Sequence, residues 1–303
     1  MINEISRILF LWPDKNRFWP RIISKSDNRI DIDNAFYNKG LVYGAVRKFF
    51  APRNMFLSRM LGSWIKNIDK YSCIIIQASL ITSKIPDYLR KRGYKGRIIY
   101  WYWDPVSGSV SPYKVNRNIC ELWSFDKDDC ETYEMKFNDT YHVFQEDNDN
   151  QDYNIKYDFT FIGKDKKRYN ELIALKNYLN KLNYITNFYI VATKEYLINI
   201  KKEYSKPVQY RKIIEIVKQS KVIVDISQNG QSGLSQRCME ALFYNKKLLT
   251  NNKNINKYPF YNSDRVFIFN QIDEITEEQL SQFMKIKIEK DDDLIRFYSF
   301  ENW

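Results

Sequence analysis

Apolar residues fall in this chain as short runs separated by polar stretches of helix length. RILFLW (Arg7 to Trp12), YSCIIIQA, RIIYWYW, DFTFIG, NFYIVAT, SKVIVDIS and KKLLTNN are runs of strand length with polar or turn residues at their ends. Strands apolar along their whole length are buried on both faces, as in parallel sheets. Helical spacing predicts a helix near Ile85 to Arg92, one running to about Asn180, and others over VQYRKIIEIVKQ, LSQRCMEALFY, EEQLSQFMK and the C-terminal DDDLIRFYSFENW. Strand and helix alternate throughout, so the fold class is α/β with parallel sheets. ELWSFD and TYHVFQ (Thr140 to Gln145), with an acidic helix between them, read as the last strands of the first half, and the polar break EDNDNQDYN follows. The expected organisation is a first domain over 1–150, a second over 151–285 and a closing helical segment over 286–303.

Composition narrows this picture only a little. At 303 residues, with 44% hydrophobic and 16% aromatic residues, the chain is long enough for two ordinary domains with their own cores. Four scattered cysteines without a CxxC pair and a single histidine, His142, predict buried thiols in a reducing compartment and no metal site. His142, inside an apolar strand-like run, reads as a packed residue. The N-terminal apolar run is short and follows an acidic residue, which predicts a first strand and not a signal peptide. No segment reaches the roughly 20 apolar residues of a membrane span, so a cytoplasmic chain is expected.

The net charge of +11 is unevenly placed: residues 1–118 carry 21 Lys/Arg against 8 Asp/Glu, and residues 119–152 carry 2 against 11. Such a balance suits phosphates, nucleic acid or an anionic membrane. The basic residues follow no nucleic-acid motif, so a nucleic-acid-binding protein is the weaker alternative. From Asn34 to Ile68 there is no acidic residue, while Lys39, Arg47, Lys48, Arg53, Arg59 and Lys66 sit among many apolar ones. The spacing Phe56, Met60, Trp64 with Leu57 and Leu61 predicts a basic amphipathic helix. Segment 45–67 is thus a candidate contact with an anionic membrane, and a core helix with a basic edge is the other reading.

The richest stretch is DISQNGQSGLSQRCMEALFYNKKLLTNN, Asp225 to Asn252, which reads as strand end, polar glycine loop, helix and strand. A loop at the carboxyl end of a parallel strand, opening a helix N-terminus, presents backbone N–H groups to an anion. Here the order strand, Ser/Gly loop, helix with Glu-Ala-Leu, then Lys-Lys-Leu-Leu-Thr-Asn resembles the nucleotide-sugar half of GT-B glycosyltransferases, particularly small enzymes of lipopolysaccharide or capsule synthesis. The resemblance implies two Rossmann-like domains facing each other across a cleft. It also implies transfer of a sugar from a nucleotide-sugar donor to a glycan or lipid-linked saccharide, with no cofactor and no metal. Glu240 stands where the family binds the donor ribose. In the retaining branch a second Glu precedes that one by eight residues; this chain has Ser232 there, a departure that favours inversion.

The remaining site residues are those the resemblance implies at their positions. Gly163-Lys164, ending DFTFIG, resembles the Gly-Arg/Lys element that opens the family's donor domain; with Arg168 it offers charge for a diphosphate. Ser232, Gly233 and Arg237 are expected at the same phosphates, and Tyr210 near the nucleotide base. In the first half Asp104, delivered by RIIYWYW and held extended by Pro105, is the first candidate for a general base, and Asp14, after Pro13, the second. The family's last helix crosses back to the first domain, so Phe297, Phe300 and Trp303 are expected to dock there. A sugar-nucleotide epimerase of the same architecture remains a rival, because fold alone does not fix the reaction.

Overall fold

The computed structural model describes residues 7–13, 29–37, 40–143, 153–193, 203–228 and 230–303. They form two compact units, Met1–Asp139 and Thr140–Trp303.

In the first unit the described strands are β1 (Ile8–Trp12), β2 (Ile30–Asn34), β3 (Cys73–Gln77), β4 (Arg97–Tyr102), β5 (Glu121–Ser124) and β6 (Lys136–Phe137). They lie in the order β2-β1-β3-β4-β5-β6 and every pairing is parallel. Register places Leu11 beside Ile76, Ile76 beside Tyr100 and Tyr100 beside Leu122. One apolar layer of the core is built from that row, as the apolar runs require. The described helices of this unit are α1 (Leu41–Phe50), the single turn α2 (Leu57–Met60), α3 (Ile85–Lys91) and α4 (Lys127–Tyr133).

In the second unit the described strands are β7 (Tyr157–Lys164), β8 (Thr186–Val191), β9 (Ser220–Asp225), β10 (Lys247–Thr250) and β11 (Val266–Ile268), and the described helices are α5 (Tyr169–Lys181), α6 (Tyr210–Lys218), α7 (Gln236–Phe243), α8 (Glu277–Lys285) and α9 (Asp292–Phe297). The order is β11-β10-β9-β7-β8, again all parallel. In both units the strand order reverses between the first and third strands of the sheet. The connections there leave in opposite directions, which opens a crevice at the strands' carboxyl ends.

Two sequence expectations are corrected. Thr140–Val143, the described part of the Thr140–Gln145 run, forms no strand of the first sheet: the last described strand there is the two-residue β6, paired with Trp123 and Ser124. His142 instead exchanges backbone hydrogen bonds with Tyr298 and Phe300, each 2.9 Å, inside the second unit. Its ring packs against Phe243, and burial pushes its pKa down to about 3, against a hydrogen bond to Gln236 that favours the proton. The C-terminal residues Phe300 and Trp303, expected on the first domain, pack with tilted rings on Tyr141 of this same unit, and Phe297 stays half exposed.

The second correction concerns 45–67, which is not one amphipathic helix. The chain leaves α1 through a short 3-10 turn and passes through left-handed backbone at Asn54 (φ 58°) and Phe56 (φ 54°) before α2. Leu57, Met60, Leu61 and Trp64 then enter the core, while Met55 and Phe56 stay outside.

Candidate functional site

The crevice of the second unit lies between the carboxyl ends of β7 and β9. β7 delivers Gly163 and Lys164 and then turns sharply. Asp165 accepts a 2.7 Å hydrogen bond from the Arg168 amide, and the two residues between, Lys166 (φ 39°) and Lys167 (φ 73°), are both left-handed. Such a turn normally uses Asn-Gly, because a side chain in that region costs about 1 kcal/mol or more. Asp165 holds it in place: its buried carboxylate accepts the Thr193 amide (2.8 Å), the Thr193 hydroxyl and the Tyr204 hydroxyl (2.9 Å). Burial works to raise the pKa of Asp165, but those bonds outweigh it and the net direction is down.

The turn exposes Lys164, Lys166 and Lys167 and draws Arg168 back. Arg168 donates from Nε to the carbonyl of Asp165 (3.2 Å) and from Nη2 to that of Lys164 (3.0 Å). Burial lowers its pKa, against the carboxylates of Asp225, Glu171 and Asp165. Of the two expected phosphate ligands, Lys164 faces outward and Arg168 braces the loop. Gly163 needs no glycine for its neighbours, since an added Cβ would meet only the Phe161 ring at an ordinary 3.4 Å. Replacing Lys167 by glycine is expected to stabilise the fold by about 1 kcal/mol through relief of the left-handed strain. Urea denaturation measures this, and no gain would mean the turn is not strained.

β9 ends in Asp225, which is buried and whose pKa burial pushes up, against Ser235, Arg168, Cys238 and Arg237. Beyond it the loop passes through Gly230 in left-handed backbone (φ 75°) and reaches Ser235, whose hydroxyl caps α7 by accepting the Arg237 amide at 3.0 Å. Ser232 and Gly233 turn their carbonyls toward Asn252, whose amide nitrogen donates to them at 3.2 and 3.5 Å.

One turn into α7, Glu240 is completely buried. Arg237 forms an ion pair with its Oε2, and the Tyr210 hydroxyl donates to its Oε1 at 2.7 Å. Burial pushes the Glu240 pKa up, and Arg237 and Tyr210 oppose it; burial and Glu240 push the Tyr210 phenol upward. Three expected site residues, on α6 and α7, therefore meet around the buried Glu240 carboxylate, and the partly buried Tyr210 and Arg237 are engaged by it.

Sequence reasoning missed the polar frame around this group. Asn251 accepts the Ser227 amide at 2.8 Å and donates to Glu171 on α5 at 2.9 Å, tying the ends of β9 and β10 to that helix. Its only signal was the polar Thr-Asn-Asn closing an apolar strand. A cavity of about 490 Å³ lined by Glu171, Ala174, Tyr178, Phe269 and Ile272 shares Glu171 with this frame. A larger one, about 630 Å³ and lined by residues including Asn262, Arg265 and Lys290, lies at the amino end of β11, the other end of that strand.

In the first unit, Asp104 is exposed just past the carboxyl end of β4. The preceding Trp103 packs on Trp12 at the end of β1, with ring centroids 5.5 Å apart. The loop that follows is fixed by Asp129, whose Oδ2 accepts the Val106 amide at 2.8 Å. Burial raises the Asp129 pKa to about 6, against the Val106 bond. Asp129 is a positioning residue the sequence did not disclose. Asp14, the second candidate base, lies outside the described residues. Among the described residues no group of His, Cys, Asp and Glu is arranged to hold a metal ion.

Two doubly wound parallel sheets in one chain define a protein of the paired Rossmann-like class. No protein-family model and no curated protein matches the sequence. Solved structures do match over nearly the whole chain. A lipopolysaccharide outer core galactosyltransferase, WaaB, aligns with 98% of this chain and 96% of its own at 10% identity and a TM-score of 0.57. A DNA-modifying β-glucosyltransferase aligns with 97% and 91% at 13% identity and 0.53, and AviGT4, a glycosyltransferase involved in avilamycin A biosynthesis, with 97% and 93% at 8% and 0.53. The chain has the GT-B fold.

Proposed function

We propose that this protein is a glycosyltransferase that moves a sugar from a nucleotide-sugar donor to a glycan or lipid-linked saccharide in the synthesis of a bacterial surface polysaccharide. The observation that carries the reading is the second unit's crevice, where exposed Lys164, Lys166 and Lys167 stand at the end of β7 beside the loop that opens α7. In the reaction an acceptor hydroxyl oxygen bonds to the anomeric carbon and the bond from that carbon to the diphosphate oxygen breaks. The hydroxyl proton passes to Asp104, and the diphosphate takes the electron pair. Transfer then inverts the anomeric centre, in keeping with Ser232 at the position of the missing Glu.

The lysines and the backbone N–H groups before α7 stabilise the departing charge, and fixed donors of this kind contribute most to the rate in such a site. No cofactor is called for, because the nucleotide sugar is a substrate. A lipid-linked acceptor requires work at the inner face of the cell membrane.

Melting the protein with UDP, GDP, CMP and TDP tests this reading. One nucleotide is expected to raise Tm, by about 2.7 kcal/mol of added stability at a hundredfold excess over Kd, with EDTA making no difference. A shift with none of them overturns the donor site. Consumption of nucleotide sugar with no acceptor present would favour epimerisation instead.

A further inference from the structure

The outer face of α1 is apolar where a helix on a soluble surface is ordinarily polar. Val42, Ala45, Val46 and Phe49 recur at helical spacing and are all exposed, Val42 at 81% and Phe49 at 54%. The opposite side of the helix, through Tyr43, Phe50 and the following Ala51, packs on the core. The turn that follows extends the same surface. Phe49 contacts Phe50 with centroids 5.0 Å apart, and Phe50 contacts Phe56 at 5.7 Å. Met55 and Phe56 are both exposed, at 43% and 54%.

Phe56 is held there by left-handed backbone, φ 54°, a conformation costly for a bulky side chain. Strain of that kind persists where the surrounding structure imposes it, and it clusters at functional surfaces.

Within this segment of the chain the charge has one sign. The Arg53 guanidinium stacks over Phe49 at 4.0 Å and that of Arg59 lies 5.8 Å from the Phe56 ring. Lys48 is exposed on α1 itself. From Asn34 through Ile68 the sequence holds no carboxylate at all. Exposed aromatic and aliphatic groups ringed by Arg and Lys match a bilayer interface, where apolar side chains reach the acyl boundary and cations meet anionic headgroups. Among the described residues no helix is long and apolar enough to cross a membrane.

We propose that the outer face of α1 and the 53–59 turn dock this protein on an anionic lipid bilayer. α1 lies flat in the interface, with Val42, Val46, Phe49, Met55 and Phe56 inserted and Lys48, Arg53 and Arg59 at the headgroups. The surface differs from the 45–67 segment: it begins at Val42, and Leu57, Met60 and Trp64 belong to the core.

Co-sedimentation with vesicles tests it, without any nucleotide. The full chain is expected to bind vesicles containing about one-third phosphatidylglycerol and to bind pure phosphatidylcholine weakly, with the difference lost in high salt. The triple variant Val42→Ser, Phe49→Ser, Phe56→Asn is expected to bind at least about tenfold more weakly. Asn tolerates the left-handed backbone at 56, so the variant is expected to melt close to wild type and to keep any nucleotide-induced shift. Arg53→Gln with Arg59→Gln is expected to weaken binding only to the anionic vesicles. No vesicle binding by the wild type, equal binding by a folded triple variant, or a concentration-dependent dimer that the triple variant abolishes without any vesicle binding would overturn the proposal. The last outcome would assign the patch to a second copy of the chain.

Discussion

Asp104→Asn is expected to lower kcat for sugar transfer by about two to four powers of ten, the usual worth of a positioned general base, while the Kd for nucleotide stays within about threefold. Asn keeps the shape and the hydrogen-bonding reach of Asp but cannot take the acceptor proton. The structure supports the assignment through the loop that carries the residue. Trp103 on one side is packed against Trp12, and Val106 on the other is tied to Asp129. The carboxylate thus sits on a fixed stretch of backbone at the strand end and is open to solvent.

Asp129→Leu is the companion variant. It removes the acceptor for the Val106 amide, so it is expected to lower kcat while leaving the nucleotide-induced shift in Tm intact; Asp129→Asn, which retains a carbonyl oxygen, should recover most of the loss. A fall of less than about tenfold in kcat for Asp104→Asn would remove it as the base. It would also leave open a retaining transfer, which needs no such base on the acceptor side.

The sheets were legible in the sequence because parallel strands buried on both faces must be apolar along their whole length. IIIQ, RIIYWYW and SKVIVD admit no other reading once helix-length intervals separate them. The short β6 was not legible: Lys136–Phe137 has two residues, and its membership depends on pairing with β5 rather than on any pattern of its own. Thr140–Val143 reads like a buried strand because Tyr141, His142 and Val143 are all buried, but their ring partners Phe243, Phe300 and Trp303 lie over 100 residues further along. Periodicity is blind to such distance. The break at Asn54 and Phe56 was only partly legible: Pro52 marks the end of α1, but no glycine marks the two left-handed positions.

The site divides in the same way. Glu240 was legible from its helix and its loop, whereas Tyr210 joined it only through folding: its helix start is 30 residues away in sequence. Arg237 illustrates the limit of reading charge from spacing. An Arg three residues before a Glu on a helix reaches either a ligand or that Glu, and burial of Glu240 decides for the Glu. The lysine turn was visible as a basic cluster, but not its left-handed geometry or its dependence on Asp165, Thr193 and Tyr204.

Glu240→Ala carries the largest expected effect on stability. A completely buried carboxylate is tolerable because the Arg237 guanidinium and the Tyr210 hydroxyl both address it. Its removal takes away the ion-pair partner of Arg237 and the carboxylate that accepts from Tyr210, and leaves a cavity in α7. Breaking a buried pair by deleting one partner costs about 3 to 5 kcal/mol. Glu240→Gln keeps the volume and an acceptor for Tyr210, so it should cost less, and the difference isolates the charge. The double variant Arg237→Met with Glu240→Leu is expected to regain most of the stability, because a well-packed apolar pair can replace a buried ion pair without loss. Urea denaturation of the four proteins, with and without the nucleotide found in the melting panel, separates two roles. If the carboxylate also receives the donor, the nucleotide-induced stabilisation is expected to vanish in the double variant even though the fold is restored. If that stabilisation returns with the fold, Glu240 is a structural residue and donor recognition rests on the β7 lysines and the loop before α7.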